Sequence, residues 1–193
     1  MSEEGKLIER ILELELNMFL NVRSEYPVSC QQNPEGFRLH RGAQFSLWSE
    51  ETLRSYHDDL LKAEQQGRNL MTLKYARMEN LIPPLSVNPI IDEIVQMELK
   101  AQREMLLQYP GILTRGRPLG DDGSGTTSFK TYLRGELETY SDRTLELLYR
   151  DIRQIEDRGE NWAIQTYTHL FRELGYESLD EVEEGLRKKD SYR

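Results

Sequence analysis

The 193-residue sequence lacks several features that mark secreted or membrane proteins. It contains a single cysteine, Cys30, which excludes an internal disulfide and predicts a reducing compartment. No apolar run approaches the roughly 20 residues that a membrane-spanning helix needs. The opening residues, MSEEGK, lack the basic and then apolar pattern of a secretion signal. We therefore expect a cytoplasmic protein with no membrane partner.

Clustered positive charge is also missing. The formal net charge is −9, and the sequence holds no long basic block. Nucleic-acid binding depends on neutralising phosphates with Lys and Arg, so we expect no nucleic-acid partner. Apolar residues make up 37% of the chain and charged residues 31%, a composition that is polar but not typical of disorder. The length suits one sizeable hydrophobic core.

Alternation of apolar and polar residues, the signature of strands, is almost absent. The three-and-four spacing of apolar residues instead predicts one all-α domain over residues 1–193, a multi-helix bundle. Asn-Pro pairs and Ser residues followed by acids predict the helix starts. The predicted helices cover residues 3–24, a segment starting at 34, 50–67, 69–81, 89–109, 129–155, 161–174 and a short segment after Ser178. Residues 110–128 predict a long flexible Gly-rich loop, and residues 187–193 a fraying tail.

Several charged residues fall inside the apolar faces of these helices. Glu15 lies in the middle of the stripe formed by Ile8, Ile11, Leu12, Met18, Phe19 and Val22. Glu98 and Lys74 occupy similar positions in their helices, and Glu136 lies at the edge of an apolar arc. The neighbouring Glu138 points away from that arc and is expected to be solvated.

Burial of an unpaired charge costs several kcal/mol, so these groups must find one another or a ligand. Three arrangements satisfy this demand. The first is a structural network in which Glu15 or Glu98 pairs with Lys74 or Arg68. The second is a polar pocket between helices. The third is a magnesium or manganese ion held by carboxylates, since hard cations accept oxygen ligands.

The sequence predicts a ligand site more readily than a metal centre. The ferritin-like di-iron arrangement needs Glu-x-x-His pairs, and no Glu lies three residues before His40, His57 or His169. Arg68 precedes Asn69, a predicted helix cap, so free N–H groups and Lys74 would favour an anion there. The predicted ligand-binding residues are Glu15, Arg68, Lys74, Glu98, Glu136 and Tyr140. Arg38 and Arg41 are interpreted as ordinary surface pairing.

Three other motifs suggest specific chemistry more weakly. The His57–Asp58 pair resembles the HD phosphohydrolases, all-α metal enzymes, with His40 and Asp142 or Asp151 as further ligands. The segment GDDGSGTT lacks the lysine of a phosphate-binding loop and reads as a flexible loop. Cys30 would act as a nucleophile only with a partner such as His40, and a small buried hydrophobe is the favoured interpretation.

Four stretches of the sequence together resemble a known family. ILELELNMFLNV, CQQNPEGFRLHRGAQF, GRNLMTLKYARMENLIPP and YLRGELETYSDRTLELLY are similar to a bacterial domain-of-unknown-function family of about this length. The resemblance implies a bacterial origin and a self-standing helical domain. It transfers no activity, cofactor or functional residue.

Two functional classes remain open from the sequence. The first is a protein with a polar interhelical pocket that binds a small anionic or polar molecule, or performs metal-assisted or acid–base chemistry on it. The second is a non-enzymatic module that binds a protein partner, its inward charges forming a structural salt-bridge network. An HD-like phosphohydrolase is a third interpretation. No motif identifies a cofactor.

Overall fold

The computed structural model describes residues 2–22, 33–123 and 126–191. These residues form ten helices and no strand, so the fold is all-α. The helices are α1 (Glu3–Leu20), α2 (Pro34–Phe45), α3 (Glu50–Gln65), α4 (Leu70–Met78), α5 (Ile90–Gln108), α6 (Pro110–Leu113), α7 (Phe129–Leu137), α8 (Asp142–Asp157), α9 (Trp162–Glu173) and α10 (Leu179–Ser191). None of the described helices is long and apolar enough to cross a bilayer.

Side-chain caps are present at most of the predicted helix starts, whereas α5 begins after Pro89 without one. The side chain of Asn33 accepts a hydrogen bond from the Gly36 amide at 2.9 Å, and that of Asn161 accepts from Ile164 at 2.9 Å. Ser49 and Ser178 cap α3 and α10 in the same way. Each cap satisfies an amide that has no partner within its own helix, which fixes where the helix begins.

The prediction of one long helix over 129–155 is wrong, because the helix is interrupted between the end of α7 and the start of α8. Ser141 caps the second helix, its hydroxyl accepting from the Thr144 amide at 3.3 Å. Asp59 of α3 accepts from both the Ser141 amide at 3.0 Å and the Thr144 hydroxyl at 2.7 Å. This contact from a distant helix fixes the start of α8, and the apolar periodicity on either side conceals the break.

Both predicted irregular segments contain helix. α6 forms the first turn of the predicted loop, because the buried Glu183 of α10 accepts hydrogen bonds from the Gly111 and Ile112 amides at 2.9 and 3.1 Å. α10 continues to Ser191, past residue 187, where the sequence predicts a tail. Cys30 lies outside the described residues.

A connected hydrophobic core runs from Leu7 of α1 to Val182 of α10. α1 packs on α2, α3 and α4, whereas α5 packs on α6, α7, α8 and α9. The contacts of α4 with α7, of α2 with α9 and of α3 with α8 join these two groups. The inward charged residues therefore come together where both groups of helices meet.

Gly135 permits the close approach of α7 to α4. A Cβ atom placed on Gly135 would lie 3.0 Å from Met78 Cγ and 3.1 Å from the Lys74 carbonyl oxygen. The backbone oxygen can move only if the helix moves. The absence of a side chain at Gly135 thus brings Lys74 within reach of Glu136, the next residue in α7.

Replacement of Gly135 by alanine tests this packing. We expect Gly135→Ala to lower the free energy of unfolding by about 1–3 kcal/mol, although alanine is the better helix former. The matched control is Gly185→Ala in α10, where an added Cβ meets nothing within 4 Å and should stabilise by about 0.5–1 kcal/mol. Urea denaturation measures both variants. A stabilising effect at both positions would contradict the close approach.

Candidate functional site

Five helices contribute to a buried network of charged and phenolic side chains. Its members are Glu15 (α1), Arg41 (α2), Tyr56 (α3), Lys74 (α4) and Glu136 (α7), with Tyr140 from the turn after α7. All six are buried, and Glu15 has no accessible surface. The sequence prediction that Glu15 and Lys74 face inward is thus confirmed.

Arg41 is the centre of this network. Its Nε and Nη2 atoms donate to the two carboxylate oxygens of Glu15 at 2.8 and 2.5 Å, the paired geometry that suits a planar guanidinium. Its Nη1 atom donates to Glu136 at 2.7 Å and to the side-chain oxygen of Gln44 at 2.5 Å. One arginine therefore joins two carboxylates from opposite parts of the chain.

The remaining members complete the hydrogen bonding of both carboxylates. The Tyr56 hydroxyl donates to Glu15 and the Tyr140 hydroxyl donates to Glu136, each at 2.6 Å. Lys74 forms an ion pair with the second oxygen of Glu136. Its ammonium also lies 3.6 Å from the centre of the Tyr132 ring, a cation–π contact. Two carboxylates and two cations balance, so the network has no net charge.

The pKa directions agree with this pairing. Burial alone would raise the pKa of Glu136, but Arg41 and Lys74 hold it well below its ordinary value. Burial opposes the charge on Arg41, yet Glu136 and Glu15 raise its pKa well above the usual range. Burial and the neighbouring carboxylates raise the pKa values of Tyr56 and Tyr140, so both hydroxyls remain donors. Glu136, Arg41 and Lys74 are therefore held in their charged forms at neutral pH.

Glu98 lies beside the network but makes no hydrogen bond or ion pair with the described residues. It borders a cavity of about 90 Å³ lined by His40, Ala43, Gln44, Glu98, Gln102, Phe129, Trp162, Thr166, Tyr167 and Leu170. Part of its surface is accessible from this cavity, while surrounding protein and the charge of Glu136 raise its pKa to about 8. Its carboxyl is therefore mostly protonated at neutral pH.

Other polar groups on this cavity also lack protein partners. Gln102 is buried, yet its side chain makes no hydrogen bond within the described residues, and the same holds for His40 and the Tyr167 hydroxyl. Away from this cavity, the described part of the chain has one side-chain nitrogen or oxygen that is fully buried without a partner, Arg150 Nε. Unpaired polar groups thus converge on one cavity, where they can bind water or a ligand.

Arg68 is not part of this arrangement. It is exposed and borders a separate cavity of about 400 Å³ that also contains Asp59, Glu138 and Asp142. Lys74 is already paired with Glu136, so the two predicted anion-binding cations do not act together. Tyr140 lines that second cavity and is the one predicted residue that connects it to the network.

Two predictions about neighbouring charges are wrong. Glu138 is buried rather than solvated, because α7 ends at Leu137 and the chain then turns Glu138 towards Arg77, 2.6 Å away. Arg41 is buried rather than on the surface. A signal for Arg41 exists in its spacing, since it lies four residues from Phe37 and from Phe45, both of which contact the core.

The described residues do not assemble the specific metal or catalytic sites that the sequence suggested. These ranges contain no group of three or more His, Cys, Asp or Glu side chains that could hold a metal ion. The histidines and aspartates of the HD interpretation are separated: His40 borders the cavity beside Glu98, whereas Asp151 accepts hydrogen bonds from Ser49 and Thr52. The pairing of Cys30 with His40 lies outside the described residues.

Comparison with known proteins identifies the family. Residues 5–184 match the family described as a protein of unknown function (DUF4125), and the chain belongs to it. This agrees with the resemblance noted from the sequence. No curated protein and no solved structure matches the chain.

The structural role of the network is tested by Glu15→Gln. The variant leaves Arg41 buried without one of its two carboxylates, so we expect the free energy of unfolding to fall by about 3–5 kcal/mol. The control is Glu13→Gln on the exposed face of the same helix, with an effect within about 0.5 kcal/mol. Equal stability of the two variants in urea would show that Glu15 does not stabilise the fold.

The protonation of Glu98 predicts a pH dependence of stability. Its pKa is about 8 in the folded state against an ordinary value of 4.5, so the folded state retains a proton that the unfolded state releases. This stabilisation is complete below pH 4.5 and is lost as the pH rises to 8. Relative to wild type, Glu98→Gln should gain at most about 1.4 kcal/mol per pH unit across that window.

Thermal unfolding of both proteins from pH 5 to pH 9 measures this difference. His40 also borders the cavity, and desolvation lowers its pKa. Because His40 is present in both proteins, its contribution to the pH dependence cancels in the comparison. Parallel curves for wild type and Glu98→Gln would contradict a raised pKa at Glu98.

Proposed function

We propose that this protein binds a small polar molecule in the cavity beside Glu98, with the buried Arg41 network as a rigid support. The observation that carries the proposal is the convergence of unpartnered polar side chains from three helices on one cavity. His40 comes from α2, Glu98 and Gln102 from α5, and Tyr167 from α9. Ligand sites in helical bundles commonly have this form, a small pocket with a few convergent polar groups.

The network is better suited to support than to recognition. Each of its charges has a partner of opposite sign, and both tyrosine hydroxyls are used. Gln44 links the two features, because it lines the cavity while its side-chain oxygen accepts from Arg41. Because Arg41 holds Gln44 in place, this part of the cavity wall keeps its geometry, which favours binding.

Glu98 gives the cavity its chemical character. A carboxyl with a pKa of about 8 exchanges its proton near neutral pH, as a general acid or base must. Of the ligand classes predicted from the sequence, a polar molecule fits this group better than an anion does, since no lysine or arginine lines the cavity. Acid–base chemistry on the bound molecule is the enzymatic form of the proposal.

The proposed setting is the bacterial cytoplasm. The single cysteine favours a reducing compartment, and the sequence resemblance implied a bacterial family.

The two tryptophans provide a direct test of binding. Trp162 lines the cavity, whereas Trp48 packs against Phe45 and Tyr56 away from it. In a ¹H–¹⁵N spectrum their indole N–H signals are distinguished with Trp162→Phe. Titration with small probes such as acetamide, urea and methylammonium should shift the Trp162 signal saturably and leave Trp48 unchanged. Equal shifts of both signals, or of neither, would refute a site at this cavity.

The melting temperatures of two variants provide an independent test of this cavity as the binding site. We expect Gln102→Leu to retain or raise the melting temperature, because it removes an amide with no protein partner, and to abolish the probe-induced shift. The control is Gln44→Leu, which removes the acceptor for Arg41 and should lower the melting temperature by several degrees. A clear fall in melting temperature for Gln102→Leu would indicate a structural role instead.

A protein-interaction role is the second candidate, and one observation favours it. Leu81, Leu85 and Val87 are exposed on the connection between α4 and α5. The buried Glu138 accepts from the Leu85 amide at 3.1 Å, and Arg77 donates to the Ile82 carbonyl at 2.7 Å, so this apolar segment is held in place. Sedimentation velocity of wild type against the double variant Leu81→Ser and Val87→Ser tests it as a self-association surface.

A further inference from the structure

Charge is the first property of the Glu98 cavity that selects a ligand. Neither lysine nor arginine lines it, and partial desolvation lowers the pKa of His40, which favours its neutral form. The network behind it contains two carboxylates and two cations and therefore adds no net charge. Glu98 ionises as the pH rises through about 8, and the charge that it then adds to the cavity is negative.

Aromatic rings are the second property. Phe129 at the start of α7 and Trp162 and Tyr167 of α9 border the same cavity as Glu98. The faces of aromatic rings attract cations, most strongly when water is excluded. A carboxylate together with three rings forms the type of enclosure that receives an ammonium or methylated ammonium group.

The chain already uses this chemistry at another position. Lys74 places its own ammonium 3.6 Å from the centre of the Tyr132 ring while it pairs with Glu136. The ring and carboxylate there hold a buried cation whose charged form remains favoured, since Glu136 raises the pKa of Lys74 despite burial. The cavity beside Glu98 offers the same two kinds of group without an internal cation.

We propose that the ligand of this cavity presents an alkylammonium group, held between the Glu98 carboxylate and the rings of Phe129, Trp162 and Tyr167. This inference rests on the proposed function and specifies its ligand class. A volume of about 90 Å³ admits an ammonium head with a few methyl groups, and the exposed His40 marks where the rest of the ligand reaches solvent. Such a group occurs on free amines and on the lysine side chains of proteins.

Proton balance follows from this arrangement. When an alkylammonium ion enters, Glu98 loses its proton to the solvent and the resulting carboxylate pairs with the ligand cation. Binding should therefore tighten as the pH rises from 6 to 8. The other titratable groups facing Glu98 are His40 from α2, Tyr167 from α9, and Arg41 and Glu136 behind the cavity. Only His40 titrates near this range, and its pKa is lowered, so Glu98 dominates the dependence.

The experiment compares probes of matched shape at constant ionic strength, with the Trp162 indole signal as the readout. Methylammonium and tetramethylammonium chloride are the cations, tert-butanol and acetamide the neutral probes, and sodium acetate the anion. We expect saturable binding of the cations, at least tenfold tighter than that of the neutral probes. Glu98→Gln should weaken cation binding at least tenfold more than it changes the binding of the neutral probes.

Ring variants complete the test. Tyr167→Leu should weaken cation binding several-fold, whereas the control Tyr176→Leu, an exposed ring that does not line the cavity, should not. Saturable binding of neutral probes with none of the cations would overturn the alkylammonium inference and leave the cavity as a polar site. Absence of binding by every probe would overturn both proposals. Choline and Nα-acetyl-lysine methylamide then distinguish the ligand source. Tighter binding of choline would indicate a free small-molecule ammonium, and tighter binding of Nα-acetyl-lysine methylamide would indicate a lysine side chain of a protein.

Discussion

The fold depends on Arg41. Its guanidinium contacts Glu15 from the first helix and Glu136 from the seventh, and no other described side chain joins both carboxylates. A buried carboxylate pair would repel and remain protonated without this cation, so the packing of α1, α2 and α7 requires it. Lys74 supplies the second positive charge, and the close approach at Gly135 determines that it reaches Glu136.

The distinction between a supported network and an open cavity follows from the same balance of charge. Where charges and hydrogen bonds are complete, as around Glu15 and Glu136, the side chains have no capacity left for a ligand. Glu98 lies beside the network without a hydrogen bond or ion pair to the described residues. Gln102, one helical turn away, likewise has no side-chain hydrogen bond to them. Polar side chains without protein partners that line one cavity can bind water or a ligand, which the fully paired network cannot.

The sequence predicts much of this architecture and part of the site. Helix type and most helix starts follow from local signals, such as Asn33 before Pro34 and Asn161 before Trp162. The inward position of Glu15 and Lys74 follows from periodicity. Periodicity does not show which partner each charge meets, because Arg41 and Glu136 are 95 positions apart. It also does not show the break at Ser141, which depends on Asp59 of another helix.

The network also has a consequence for the kinetics of folding. Its contacts join residues that are 26, 62 and 95 positions apart, so all the helices concerned must already be packed before the charges can leave water. Interactions that form after the folding transition state slow unfolding without speeding folding. We therefore expect loss of the Arg41 network to speed unfolding more than it slows folding.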